Sequence, residues 1–210
     1  MPTYPKTAGG RPAWAAALLL MWLTALAQDA PAPGATPEDT VRTLHDALVE
    51  TAAELGDASL EERYARLEPV VEATHDLPYI AELTIRREWD GLSVDDRQRF
   101  VEAFERLSVT TYASRFRRLE AGMFEITGGE SLAGGRAQVA ATLTTKERAI
   151  PFQYVLHETD AGWKIVNILA DNVSDLALKR AEYRRLLEGG SVDDVIAELE
   201  RQTAEAAAAD

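Results

Sequence analysis

The hydrophobic pattern of this chain changes its period at Gly122, and no other feature limits the fold as strongly. Up to that point apolar residues recur at steps of three and four; beyond it they alternate along short segments separated by turn residues. The first pattern lines up side chains on one face of a helix, the second on one face of a strand. Helices, then a run of strands, then helices again is the order of an α+β domain.

In the helical half, Thr36-Pro37-Glu38-Asp39 supplies an N-cap, a proline at the first helical position and acids in the first turn. Val41, Leu44, Leu48, Thr51 and Leu55 follow on one face, and Gly56-Asp57 ends the helix. Ser59 with Glu62 reads as a capping box that opens a second helix on Leu60, Tyr64, Leu67, Val71 and Thr74. The segment from His75 to Tyr79 breaks it, because Pro78 disfavours a helical conformation in the residue before it. A short third helix is expected over residues 79–89. Ser93 with Asp96 starts the longest one, in which Phe100, Phe104, Leu107 and Thr111 form a stripe widened by Val101, Tyr112 and Leu119.

Four strands are expected after Gly122, over residues 123–127, 138–144, 150–157 and 163–170, with GGESLAGG as a flexible connection between the first two. Their short links imply an antiparallel sheet. The last strand, WKIVNILA, is apolar on both faces, so it must be covered on both or leave one side open to something apolar. The chain then turns at Asp171-Asn172 into a helix over 173–187. After Gly189-Gly190, Ser191 and Asp194 cap a final helix over 192–203, and residues 204–210 read as a frayed tail.

With 210 residues, 46% of them hydrophobic and 27% charged, the chain suits a single domain, placed at 36–203. Ahead of it, Lys6 and Arg11 precede an apolar run over 13–27 that ends in Ala25-Leu26-Ala27. This is the pattern of a signal peptide cleaved near Ala27, and the run is shorter than the roughly 20 apolar residues of a membrane span. Residues 28–35, QDAPAPGA, read as a flexible linker. The absence of cysteine excludes disulfides, thiolate metal sites and cysteine nucleophiles. A formal net charge of −13 repels nucleic acid and anionic headgroups, so neither is expected as an electrostatic partner.

Motifs for catalysis are missing from the sequence. The histidines are His45, His75 and His157, and no metalloprotease, Walker, dinucleotide or nucleophile-elbow pattern occurs. No metal or cofactor is expected. GGESLAGG lacks the Lys-Ser/Thr of a phosphate loop. His75-Asp76 could in principle form an oriented base, yet adjacent residues after a helix more often cap it. Asn172-Val173-Ser174 matches a glycosylation triplet but doubles as a turn and helix start. Arg180 and Arg184 fall within the apolar arc of their helix. Their stems can lie on apolar surface with the heads in water, or a guanidinium can wait at a pocket mouth for a phosphate or a partner's acid.

Leu77-Pro78-Tyr79, Trp89, the stripe Phe100, Phe104, Leu107 and Tyr112, and finally WKIVNILADNVSDLALKRAEY resemble the MlaC family of toluene-tolerance auxiliary proteins, over roughly residues 36–202. The ending, Asn172 to Ala177 followed by Lys179 to Tyr183, looks most like the hopanoid-biosynthesis-associated HpnM branch. The resemblance implies that the sheet, read above as four antiparallel strands, is covered by helices with a deep apolar lipid pocket opening between them. It further implies a non-enzymatic periplasmic carrier of hopanoid or phospholipid, serving an inner-membrane transporter of the ABC/MCE or RND type and an outer-membrane acceptor.

The residues expected to line such a pocket are Tyr79 and Trp89, then Phe100, Phe104, Leu107 and Tyr112 of the long helix. The strands add Ile150, Phe152 and Tyr154, with Val166 and Ile168 across from them. Arg180 and Arg184 are the candidates for the pocket mouth or for docking. Two other readings stand beside this one. An isomerase- or dehydratase-like enzyme on a similar open sheet would use His75, Asp76 or Tyr154, and a periplasmic adaptor would bind no ligand at all.

Overall fold

The computed structural model describes residues 36–209. The expected signal peptide and linker, 1–27 and 28–35, lie outside the described residues. Helices α1 (Pro37–Leu55), α2 (Leu60–Thr74), α3 (Leu77–Thr84), α4 (Arg86–Trp89) and α5 (Val94–Arg115) come first. Strands β1 (Phe124–Leu132), β2 (Arg136–Thr144), β3 (Ala149–Thr159), β4 (Gly162–Ala170) and β5 (Val173–Ser174) follow, and α6 (Asp175–Gly189) and α7 (Val192–Ala208) close the chain. Among the described residues no helix is long and apolar enough to cross a membrane.

The caps form where the sequence places them. Thr36 with Asp39, Ser59 with Glu62 and Ser191 with Asp194 make reciprocal capping boxes, and Ser93 accepts from the Asp96 amide. Each satisfies amide groups that a helix start leaves without an intrahelical partner.

The sheet has five strands rather than four, in the order β1-β2-β3-β4-β5 with every neighbour antiparallel. The fifth arises because Asp171 and Asn172 both take positive φ, 51° and 63°. That geometry folds the chain back in a tight turn, and Val173–Ser174 pairs with β4 before α6 begins. Nor is GGESLAGG a free connection. A bulge after Ile126 carries β1 on through the glycines to Leu132, and the reversal falls at Gly134 and Gly135, both with positive φ.

Two helical expectations also change. The third helix divides at Ile85, whose φ of −125° interrupts it and whose side chain is buried. The last helix continues to Ala208 instead of fraying after 203, since alanine is the best helix former.

β4 resolves its own double-sided pattern. Leu156 pairs with Ile165 but Val155 pairs with Asn167, so Val166 is an inserted residue with no partner of its own. The bulge lets Ile165 and Val166 both face the helices, and each is almost fully buried. Ile168, opposite Tyr154, stays on that same side.

The core lies between this face and the helices. Val139, Ala141, Tyr154 and Leu156 meet Leu44 and Leu48 of α1 and Phe104 of α5 in one cluster. Each large side chain buried there contributes about 1.5–3 kcal/mol. Arg63, only 1% exposed, ties α2 to α5 by donating from Nε to the Ala113 carbonyl at 2.9 Å, and its guanidinium also reaches the Ala58 carbonyl.

Candidate functional site

Packing between the sheet and α3, α5 and α6 is incomplete and leaves a cavity of about 250 Å³. Its walls are mostly apolar. Leu77 and Ile80, one helical turn apart on α3, face Phe104 and Leu107 of α5. Phe152 and Tyr154 of β3 form the sheet wall with Ile165, Val166 and Ile168 of β4, which the bulge turns inward.

Polar groups enter at two levels. Near the opening, Arg115 at the end of α5 stands with Asp175 and Lys179 of α6. Lys179 Nζ is 2.9 Å from an Asp175 carboxylate oxygen, whereas Arg115 has no ion pair among the described residues. Deeper in, two wall tyrosines each meet a buried histidine. His75 Nε2 lies 2.9 Å from the Tyr112 hydroxyl, and His45 Nε2 lies 2.8 Å from that of Tyr154. The His45 ring stacks on Phe124, 3.9 Å between centroids. Burial lowers the pKa of both histidines to about 4 and raises those of both tyrosines, so all four groups are neutral near pH 7.

Asp76 turns away from His75: one carboxylate oxygen caps α3 at the Tyr79 amide, and the other is 2.8 Å from His157 Nε2. A dyad of His75 and Asp76 is therefore not formed. Among the described residues no cluster of three or more His, Asp or Glu could hold a metal ion.

Of the residues singled out in the sequence, Phe104, Leu107, Tyr112, Phe152, Tyr154, Val166 and Ile168 line the cavity. Four others lie elsewhere. Tyr79 sits off the cavity face of α3 and stacks on His157 at 4.9 Å. Trp89 lies beyond the break at Ile85, against Phe100 and under the Arg97 guanidinium. Phe100 is one turn too early on α5 and packs edge-on against Tyr183 in the solid core. Ile150 is at the start of β3, paired with Leu143 beyond the cavity.

Arg180 and Arg184 are not at the mouth either. They border a separate cleft with Arg86 and Arg87, where Arg180 Nε donates to the Leu83 carbonyl at 2.7 Å. The rim residues are Arg115 and Lys179, which the sequence reading did not select. Asp175 and Lys179, four apart on one helix, gave a local signal for their pair; nothing local pointed to Arg115.

The MlaC protein family matches residues 38–201. No curated protein matches the sequence. Among solved structures, a phospholipid-binding protein from Ralstonia solanacearum, in complex with a phospholipid, superposes with a TM-score of 0.71 at 17% identity. The match covers 80% of this chain and 97% of that one, and it shows a shared fold. With the family pattern running through nearly all of the described residues, the chain belongs to the MlaC family.

Proposed function

We infer that this chain is a periplasmic lipid carrier without enzymatic activity, which holds the hydrocarbon part of a phospholipid or hopanoid between its sheet and α5. The observation that supports this most directly is the apolar cavity roofed by α3, α5 and α6. A lipid tail exposed to water costs about 0.8 kcal/mol per CH₂, so transfer between membranes faces a barrier on the order of 10 kcal/mol unless the tail is covered. A cavity of this kind supplies the cover. The phospholipid in the Ralstonia relative supports lipid as cargo, and the family supports export by the segment 1–27. Docking to an inner-membrane transporter and an outer-membrane acceptor belongs to the same reading.

At about 250 Å³ the cavity is slightly smaller than the roughly 300–1,000 Å³ usual for ligand pockets, so a whole lipid enters only if a wall moves. α6 is suited to that, since Tyr183 is its single buried residue. The enzyme reading is not favoured, because His75, the histidine that lines the cavity, is a weak base tied to Tyr112.

The test is mass spectrometry of organic extracts from protein purified without detergent from its own periplasm. A stoichiometric phospholipid or hopanoid supports the carrier and identifies the cargo. A folded protein that yields neither refutes it.

A further inference from the structure

The direction of one hydrogen bond in the cavity wall is fixed by its neighbours. His75 is 6% exposed, and its neutral ring carries one proton, on either Nδ1 or Nε2. Nδ1 is 3.1 Å from the Val71 carbonyl oxygen, which can only accept. Thr74 Oγ1 is 3.0 Å from Nδ1, but its own proton goes to the Val70 carbonyl at 2.8 Å, so it accepts as well. Nδ1 therefore holds the proton and Nε2 is bare. The Tyr112 hydroxyl, 2.9 Å away, must donate to Nε2.

That leaves the phenol oxygen with lone pairs and no proton to offer. It has no second hydrogen bond among the described residues. His75 and Tyr112 both line the cavity, so their bond lies in its wall, among Leu77, Leu107, Phe116 and Ile165. An apolar chain passing this point meets a single acceptor. A carbonyl on that chain would set acceptor against acceptor, whereas a hydroxyl could donate.

We propose that Tyr112, with its proton committed to His75, is a specificity element that selects lipids bearing a hydroxyl donor on their buried hydrocarbon part. It deepens the carrier reading and rests on it. The companion pair of His45 and Tyr154 has no such fixed polarity, because among the described residues no partner of His45 Nδ1 fixes its proton.

The experiment measures displacement of a fluorescent fatty acid from the delipidated chain. The competitors are hexadecanoic acid and its matched hydroxy and oxo derivatives, substituted mid-chain and near the chain end. At the position that reaches Tyr112, the hydroxy acid should bind about tenfold tighter than its oxo counterpart, as expected of one hydrogen bond. His75→Phe returns the phenol proton to the cavity, and the preference should shrink to less than about twofold.

Equal binding of hydroxy and oxo acids at every position overturns the proposal, and so does a preference that survives in His75→Phe. The comparison in the native chain needs no variant and stands if His75→Phe fails to fold. If hexadecanoic acid itself does not bind, the carrier reading fails first and takes the proposal with it.

Discussion

Acid should destabilise this protein well above the range in which its carboxylates titrate. His45 and His75 are 4% and 6% exposed, and burial lowers each pKa from 6.5 to about 4. As pH falls through 6.5 the unfolded chain takes up a proton at each, while the native state stays neutral until near 4. Protons therefore favour unfolding, and stability present above 6.5 is lost progressively down to 4. Between pH 8 and pH 5 each histidine costs about 2 kcal/mol, or about 4 kcal/mol for the pair. That is a large part of the roughly 5–15 kcal/mol that holds a typical domain together.

Other titrations do not mimic this effect. Relief of the −13 net charge acts in the opposite direction. Glu198, which the Arg201 side chain holds at about 2, loses its contribution as pH falls from 4.5 towards 2, so little of it is gone at pH 5. Urea unfolding of the delipidated chain at pH 8, 6.5 and 5 measures the loss, and His45→Gln and His75→Gln should each remove about half of it, as the linkage requires. The reasoning is refuted by equal stability at pH 8 and pH 5, or by a pH dependence that both variants leave intact.

Phe100→Ala should cost about 3–5 kcal/mol, because the ring is fully buried in solid core, yet binding per folded molecule should be unchanged in a lipid titration. Ser108→Trp puts an indole into the cavity from α5 and should abolish lipid binding while costing no more than about 1–3 kcal/mol in thermal unfolding. Arg115→Glu breaks no ion pair among the described residues, so stability should stay within about 0.5 kcal/mol. Its uptake of an anionic phospholipid from vesicles should slow relative to a zwitterionic one, with the difference shrinking as salt rises.

Much of the architecture was legible because it depends on local chemistry. The capping residues, the turn at Asp171-Asn172 and the helical stripe of α5 each act through neighbours within one or two turns. The pocket was legible only in part, because cavity and core use the same side chains. Phe100 and Phe104 share one stripe, and the difference between them is what stands opposite: Tyr183 for the first, the open space before the sheet for the second.

The sequence by itself determined that helices flank a meander, where most of them start, and that β4 carries more apolar surface than one sheet face needs. Local conformational preference and side-chain periodicity suffice for that. Only the tertiary structure decided that a bulge at Val166 turns the surplus inward, that Arg115 rather than Arg180 borders the cavity, and that each tyrosine in the cavity wall meets its own histidine. Those outcomes join residues as far apart as His45 and Tyr154, and strand register and helix docking, which no short window of sequence contains, bring them together.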